Sequence, residues 1–124
     1  IIASEVIEHV NNRDLFLSDI SKLCKPGGLV IFTTINKSVL GILLGKFFAE
    51  EFIKVVPKGT HDLKKFISPN QLIKEAENYK IILDDITGFI PTFSIKNILN
   101  KEFGEFKLSS NIEVNYGLAG INLK

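Results

Sequence analysis

The first residues of the chain that could do chemistry together are two glutamates and a histidine. Glu5, Glu8 and His9 lie in the opening stretch IIASEVIEHVNN. If the residues after Ser4 form a helix, these side chains stand at positions i, i+3 and i+4 and share one face. Two carboxylates and an imidazole can bind a divalent cation and leave coordination positions open for substrate oxygens. The same pattern is typical of a solvated first helical turn, where the helix dipole favours acidic residues.

The expected position of this cluster bears on its chemistry. Ile1 to Ser4 has the character of the end of a buried strand, so the cluster would lie at the carboxyl end of a parallel strand. Ligands bind at that end in open α/β sheets. The spacing alone leaves a cation site and a solvated turn both open.

A second candidate is the polar stretch VVPKGTHDLKKF, which lies between two segments with helical patterns. It could form a loop over an active site, with Lys58 or His61 touching a substrate. It is equally typical of a turn in which Thr60 and Asp62 hydrogen-bond the backbone.

A third candidate is the amphipathic segment from Val39 to Val56. Its apolar stripe comprises Leu40, Leu44, Phe48 and Phe52, flanked by Val39, Leu43, Phe47 and Val55, and its opposite stripe comprises Lys46, Glu50 and Lys54. This pattern predicts either a helix packed on its own domain or an interfacial helix that inserts Phe and Leu side chains into a membrane. The charged residues break any run of about 20 apolar residues, so the segment at most lies on a bilayer.

Composition limits the classes of protein to consider. The chain has 124 residues, of which 45% are hydrophobic and 23% charged, as in an ordinary globular domain. Its net charge of +1 gives no electrostatic reason to expect a nucleic-acid partner. Cys24 is the only cysteine, so the chain has no internal disulfide, which suits a reducing compartment.

The elements around the first cluster predict a βαβ unit. After the first strand, one helical face is formed by Phe16, Ile20, Leu23 and Cys24. The sequence KPGG ends this helix, and LVIFTTI follows as an apolar run without alternation. Such a run is typical of a strand buried on both faces of a sheet.

The second half of the chain predicts a helix and two more strands. Ser68 is the expected N-cap of a helix, Pro69 its first residue, and Gln71 the partner of Ser68 in a capping box. KIILDDITGF is then a strand, IPTFSIKNILNKEFGEFKLSS a long connection with one short helix at most, and IEVNYGLAGIN a last strand. The alternation in the last strand predicts antiparallel pairing near an edge. The order β-α-β-α-α-β-loop-β predicts the second half of a doubly wound α/β sheet.

Five stretches then carry a resemblance to a known family. ASEVIEHV, KPGGLVIFTTINKS, VPKGTHDLKKFISP, DITGF and EVNYGLAG occur in the order and approximate spacing of the ubiquinone-biosynthesis O-methyltransferases. KPGG is common among class I methyltransferases, whereas VPKGTHDLKKF together with EVIEHV and VNY is more specific. The resemblance covers most of the chain and implies a Rossmann-like class I methyltransferase sheet whose last strand is antiparallel. After DITGF the family commonly has a Tyr-Asn-Pro stretch, whereas this chain has IPTFS.

The resemblance also implies a cofactor, a metal and a place in the domain. Residues 1–124 would be the C-terminal part of a single methyltransferase domain, with the glycine-rich cofactor strands upstream, so we expect this chain alone to be inactive. At Ser4 the chain would run beside the bound S-adenosylmethionine. The family associates its Glu-x-x-Glu-His pattern with a divalent cation, usually Mg²⁺, which here falls on Glu5, Glu8 and His9.

Residues 39–57 resemble the insertion through which these enzymes contact membrane lipid. The contacting side chains would be Leu43, Leu44, Phe47, Phe48 and Phe52. The implied location is the matrix side of the mitochondrial inner membrane, because the AS before EVIEHV is closer to mitochondrial members. The alternative is the inner membrane of a bacterium, on its cytoplasmic side. Other ubiquinone-biosynthesis proteins are possible partners.

The implied reaction is methyl transfer from a sulfonium to an oxygen of a polyprenyl catechol-type substrate. A phenol with a pKa near 10 is a poor nucleophile at neutral pH, and a metal bound to both catechol oxygens would favour the phenolate. Two other functions stay open. The chain could belong to a class I methyltransferase that acts on another small hydroxylated molecule, or it could be a non-catalytic fragment that binds lipid or a partner.

Overall fold

The computed structural model describes residues 1–38, 65–92 and 105–124 of the chain. The amphipathic segment at 39–57 and the polar stretch around Lys58 and His61 lie outside these described residues. Within the described ranges, no helix is both long enough and apolar enough to cross a bilayer. The helices and strands are, in chain order, β1 (Ile2–Ser4), α1 (Arg13–Leu23), β2 (Leu29–Ile35), α2 (Pro69–Glu77), β3 (Ile81–Thr92), β4 (Glu105–Ser109) and β5 (Asn115–Asn122).

The predicted βαβ unit is confirmed. β1 and β2 pair in parallel, with Ala3 beside Phe32, and α1 lies between them in the chain. The side chain of Asn12 starts α1, because its Oδ1 accepts from the Leu15 N–H at 3.0 Å. Gly27 follows the helix with a φ of 70°, a left-handed conformation that glycine adopts without steric cost.

α2 begins where the sequence predicts, but its capping box is incomplete. Ser68 Oγ accepts from the Gln71 N–H at 3.4 Å, and Pro69 is the first helical residue. The Gln71 side chain does not return to Ser68. Its Nε2 instead donates to Glu75 Oε1 at 2.8 Å, one helical turn further along. In a complete capping box, the Gln71 side chain would instead accept from the backbone N–H of Ser68.

The five strands form one sheet in the order β1-β2-β5-β3-β4. β5 is antiparallel to both β2 and β3, so the predicted orientation of the last strand is confirmed and its predicted place near an edge is wrong. The three consecutive residues Tyr116, Gly117 and Leu118 are all buried, which an edge strand with one wet face would not show. At Gly120, a Cβ atom would lie 1.8 Å from the carbonyl oxygen of Ile82, so this close strand pairing requires glycine.

Part of the predicted long connection is a strand. β3 continues through DITGF to Thr92, and its second half pairs antiparallel with β4. β4 lies at the edge of the sheet and exposes Phe106 and Leu108. The sequence EFKLS places these two residues alternately with Lys107, so the strand pattern was present but too short to be recognised.

The core lies between one face of the sheet and the two described helices. Leu17 and Ile20 from α1 and Leu72 and Ala76 from α2 pack in a single cluster with strand residues including Phe32. β2 is accordingly buried on alternate residues, Val30, Phe32 and Thr34, whereas Leu29 remains 55% exposed. The prediction that β2 is buried on both faces is wrong within the described residues, because both described helices contribute to this one core.

The end of α1 is held to the sheet by a buried amide. Asn122, at the end of β5, donates through Nδ2 to the carbonyl oxygens of Ser21 and Cys24 at 2.9 and 2.8 Å. These carbonyls belong to the last turn of the helix or follow it, where no intrahelical partner is available. The contact fixes the end of α1 relative to β5.

Candidate functional site: an acidic pair at the strand ends

The chain turns sharply where β1 ends. Glu5 follows the last strand residue with a φ of 51°, and its N–H donates to the carbonyl oxygen of Thr33 on β2 at 2.8 Å. A positive φ is uncommon for glutamate and indicates a conformation imposed by its surroundings. A 3₁₀ turn from Ile7 to His9 comes next. Glu5 is outside that turn, so the predicted helical face with Glu5, Glu8 and His9 at i, i+3 and i+4 does not form.

Glu8 is a buried carboxylate. Its exposed fraction is 4%, and its Oε2 accepts a hydrogen bond from Thr34 Oγ1 at 2.8 Å. The neighbouring Ile7 is fully buried and anchors the 3₁₀ turn in the core. The interpretation of this segment as a solvated turn is therefore wrong for Glu8.

The carboxyl groups of Glu5 and Glu8 interact directly. Glu5 is an exposed residue, but its carboxyl group is partly desolvated. This desolvation, the negative charge of Glu8 and a hydrogen bond with the Glu8 side chain together raise the pKa of Glu5 to about 7. A hydrogen bond from Thr33 Oγ1 to Glu5 Oε1 at 3.0 Å acts in the opposite direction. Glu5 therefore keeps its proton to a higher pH than an ordinary glutamate does.

His9 lies beside this pair without completing a three-ligand site. Its Nε2 is 4.0 Å from Glu8 Oε1, and its side chain is 44% exposed. Among residues 1–38, 65–92 and 105–124, no group of three His, Cys, Asp or Glu side chains is arranged to hold a metal ion. The structure thus brings together two of the three predicted ligands, with the third adjacent to one of them.

Ser4, which is predicted to lie beside the cofactor, is the last residue of β1 and precedes Glu5 of the acidic pair. It is exposed, and its Oγ lies 2.8 Å from Thr33 Oγ1. Ser4, Thr33 and Glu5 are therefore linked by hydroxyl and carboxyl hydrogen bonds at the carboxyl ends of β1 and β2. This is the end of a parallel pair at which open α/β sheets bind ligands.

Sequence reasoning missed three residues around the pair: Thr33, Thr34 and Tyr116. Tyr116 lies beside Thr34 in the β2–β5 register, is fully buried, and donates its hydroxyl to the carbonyl oxygen of Ile67 at 3.0 Å. Burial, with the nearby negative charges of Glu8 and Glu5, raises the pKa of Tyr116 above its ordinary value. Two adjacent threonines in the apolar run LVIFTTI were the available signal for the first two residues, and VNY for the third.

A second polar group lies at the start of α1. A cleft of about 320 Å³ is lined by Asn11, Asn12, Arg13, Asp14 and Glu75. Arg13 donates to both oxygens of Glu75, from Nε at 2.9 Å and from Nη2 at 3.2 Å. Although burial would raise it, the hydrogen bonds from Arg13 and Gln71 hold the pKa of Glu75 below its ordinary value. This ion pair joins α1 to α2, so Arg13 and Glu75 have a structural role.

Comparison with known proteins relates this chain to a family. No family model matches the chain. A ubiquinone biosynthesis O-methyltransferase of Colwellia psychrerythraea is 40% identical over 112 residues, which cover 90% of this chain and 42% of that protein. The mitochondrial ubiquinone biosynthesis O-methyltransferase of Rattus norvegicus is 33% identical over 124 residues, covering 100% of this chain and 34% of the relative. The chain is homologous to part of the ubiquinone biosynthesis O-methyltransferases.

The human relative in this family, also mitochondrial by name, is 36% identical over 116 residues, covering 94% of this chain and 29% of its own length. The chain thus spans less than half the length of these ubiquinone biosynthesis O-methyltransferases. The match confirms the family resemblance drawn from the five sequence stretches.

Solved structures confirm the fold class. An S-adenosylmethionine-dependent methyltransferase of Thermotoga maritima, described as a possible histamine N-methyltransferase, superposes with a TM-score of 0.60 at 16% identity and covers 98% of this chain and 54% of its own. A second such methyltransferase, from Methanosarcina mazei, has a TM-score of 0.58 at 10% identity and covers 98% of this chain and 57% of its own. At these identities the likeness concerns the fold alone. It places the chain among Rossmann-like methyltransferase folds.

Proposed function

We propose that this chain is part of an S-adenosylmethionine-dependent O-methyltransferase that methylates a polyprenyl catechol-type intermediate of ubiquinone biosynthesis. The observation that carries the proposal is the 33–40% identity, over nearly the whole chain, to proteins whose names state O-methylation in that biosynthesis. The acidic pair at the carboxyl ends of β1 and β2 supports it, because this is where the fold class binds ligands. The catechol-type acceptor is inferred from the family resemblance.

The chain would supply the acceptor side of the site. Ser4 would lie against S-adenosylmethionine, and its exposure at the end of β1 and its hydrogen bond with Thr33 support this role. The glycine-rich loop that would hold the rest of the cofactor belongs, in this proposal, to upstream strands of a longer domain.

O-methylation requires the acceptor hydroxyl to lose its proton. The phenol oxygen forms a bond to the methyl carbon, the carbon–sulfur bond breaks, and its electron pair stays on sulfur. The phenol proton has to pass to a base, because a phenol with a pKa near 10 is mostly protonated at neutral pH. In this proposal Glu5 and Glu8 receive it, which their location at the strand ends supports. Aligned contact between the acceptor oxygen and the methyl group would contribute through proximity.

A divalent cation is a further part of the proposal. It would supply positive charge that favours the phenolate over the phenol. The two carboxyl groups that already meet, Glu5 and Glu8, are suitable donors for Mg²⁺, and His9 is the neighbouring third ligand of the family pattern. As arranged in the described residues, the three do not form a ligand set, so no step is assigned to a metal.

The membrane and location proposals depend on sequence. Residues 39–57 would contact lipid through Leu43, Leu44, Phe47, Phe48 and Phe52 and bring the enzyme to a polyprenyl substrate that stays in the bilayer. Rat, mouse and human relatives are named as mitochondrial, and the Colwellia and Vibrio relatives are bacterial. We propose the matrix side of the mitochondrial inner membrane, with the bacterial inner membrane as the alternative. Other ubiquinone-biosynthesis proteins are the expected partners.

The proposed function is tested with the full-length protein that carries this chain. The protein is incubated with methyl-labelled S-adenosylmethionine and short-tailed prenyl catechols, matched monophenols or histamine, and products are identified by mass spectrometry. The proposal expects label on one catechol oxygen and none on histamine. Label on an unprenylated phenol in preference to the prenyl catechol would favour a methyltransferase for another hydroxylated molecule. No label on any hydroxyl would refute O-methylation.

A further inference from the structure

The two glutamates of the acidic pair are each held by a different threonine of the same strand. Thr33 Oγ1 donates to Glu5 Oε1 at 3.0 Å, and Thr34 Oγ1 donates to Glu8 Oε2 at 2.8 Å. Successive residues of a strand send their side chains to opposite faces of the sheet. The two hydroxyls therefore reach the two glutamates from opposite faces of β2.

Thr34 occupies a position where packing alone would select valine. It is fully buried on the core face of β2, in the same row as Val30 and Phe32, and beside Tyr116 of β5. Valine has nearly the same shape and brings no polar group into the core. A buried hydroxyl without a partner is unfavourable, and in the described part of the chain the hydrogen bond to Glu8 satisfies the Thr34 hydroxyl.

Thr33 has a matching role on the other face. Besides its bond to Glu5, its Oγ1 lies 2.8 Å from Ser4 Oγ, and its carbonyl oxygen accepts from the Glu5 N–H at 2.8 Å. Thr33 thus contacts Glu5 through both its backbone and its side chain. These contacts account for the left-handed turn at Glu5, which directs its side chain back toward the strand end.

We propose that Thr33 and Thr34 are positioning residues, which hold the carboxyl groups of Glu5 and Glu8 in the orientation that receives the acceptor hydroxyl. The adjacent pair Thr33-Thr34 would thereby make β2 a structural support of the site as well as a core strand. This inference depends on the proposed O-methyltransferase function for its kinetic consequence. Its geometric content, one threonine for each glutamate, is independent of the reaction.

The test compares isosteric and conservative variants in the full-length protein. Thr34→Val removes the hydroxyl and keeps the shape, Thr34→Ser keeps the hydroxyl, and Thr33→Val removes the other hydrogen bond. Thr87→Val on β3 is the control, since Thr87 is a half-buried strand threonine outside the contacts of the pair. Far-ultraviolet circular dichroism and thermal melting establish that each variant is folded.

Two readouts follow the carboxyl groups and the reaction separately. In protein labelled with ¹³C at glutamate carboxyls, Thr34→Val should shift the Glu8 resonance and Thr33→Val the Glu5 resonance at one fixed pH. In the methyl-transfer assay, each valine variant should lower kcat about ten-fold with little change in KM, the size expected for loss of one hydrogen bond to a charged group. Thr34→Ser should restore most of the rate.

The outcomes distinguish this inference from the proposed function. If the wild type methylates no hydroxyl, the proposed function fails, and the carboxyl resonances alone decide whether the threonines orient the pair. If the valine variants leave both resonances unchanged, the inference is overturned whatever the activity. It is overturned as well if kcat falls equally in Thr87→Val, or if Thr34→Ser is as slow as Thr34→Val. Should Thr34→Val fail to fold, Thr33→Val on the less buried face supplies the decisive comparison.

Discussion

Replacing Glu5 by glutamine should make the protein more stable at alkaline pH and change little at acidic pH. The pKa of Glu5 is raised from 4.5 to about 7 in the folded protein, by desolvation and by the charge of Glu8. A folded state that binds a proton more tightly than the unfolded state is stabilised below pH 4.5 and loses that stability as the pH rises through 7. Glutamine stays neutral, so it keeps the stabilisation that the wild type loses.

The size of this effect follows from the pKa difference and the exposure of the side chain. A shift of this extent in a fully buried group would correspond to about 3 kcal/mol. Because Glu5 is partly exposed, solvent screening reduces the expected gain of Glu5→Gln to about 1 kcal/mol at pH 8. Glutamine can still accept from Thr33 through its carbonyl oxygen and donate to Glu8 through its amide, so the contacts of the protonated acid are preserved.

The assay is urea denaturation of the full-length protein and its Glu5→Gln variant at pH 5 and pH 8, with chelator present to remove cations. Glu77→Gln, an exposed position at the end of α2, is the matched control. The difference between Glu5→Gln and wild type should be near zero at pH 5 and about 1 kcal/mol in favour of the variant at pH 8. A difference that is the same at both pH values would show that the pKa of Glu5 is not raised in the folded protein.

Three further predictions follow from the other parts of the molecule. Glu75→Gln should cost about 1 kcal/mol at pH 7, because it removes the paired charge from Arg13. Since the pKa of Glu75 is lowered, this loss should shrink as the pH falls below 4.5, which urea denaturation at pH 7 and pH 3 measures; an equal loss at both would contradict it. The double change Phe47→Ser, Phe48→Ser should weaken co-sedimentation with anionic liposomes. Unaltered binding by a folded double variant would show that these two side chains do not contact lipid. Calorimetric titration with Mg²⁺ should give saturable heat that disappears in Glu8→Gln, whereas no heat in the wild type would leave the acidic pair without a metal.

The parts of the fold that could be predicted are those set by local signals. The βαβ unit followed from the helical pattern before KPGG and the apolar run after it, and the start of α2 from Ser68 and Pro69. The place of β5 could not be predicted in the same way, because alternation in IEVNYGLAGIN begins before the strand does, at Ile112, whereas the strand runs from Asn115. Its central position depends on glycines that allow close pairing with β3, and such pairing is a long-range property.

The candidate site was predicted in residue type and only partly in geometry. Spacing grouped Glu5 and Glu8, and the structure brings their carboxyl groups together. Spacing assumed a regular helix, however, and the positive φ of Glu5 and the 3₁₀ turn change which atoms face each other. The bonds from Thr33 and Thr34 join residues 28 and 26 positions apart in the chain, so only the pairing of β1 with β2 reveals them.

The most direct measurement of the central claim is the methyl-transfer rate of Glu8→Gln in the full-length protein. Glutamine keeps the shape of Glu8 and an acceptor for the Thr34 hydroxyl, but it cannot take up a proton. With a prenyl catechol as acceptor, kcat/KM should fall about 100-fold or more, as expected when a residue that handles the proton is lost. The melting temperature of Glu8→Gln should remain near that of the wild type. The activity of the Glu77→Gln control should also remain near the wild-type value. If Glu8→Gln transfers methyl groups as fast as the control, the acidic pair is not the site of O-methylation.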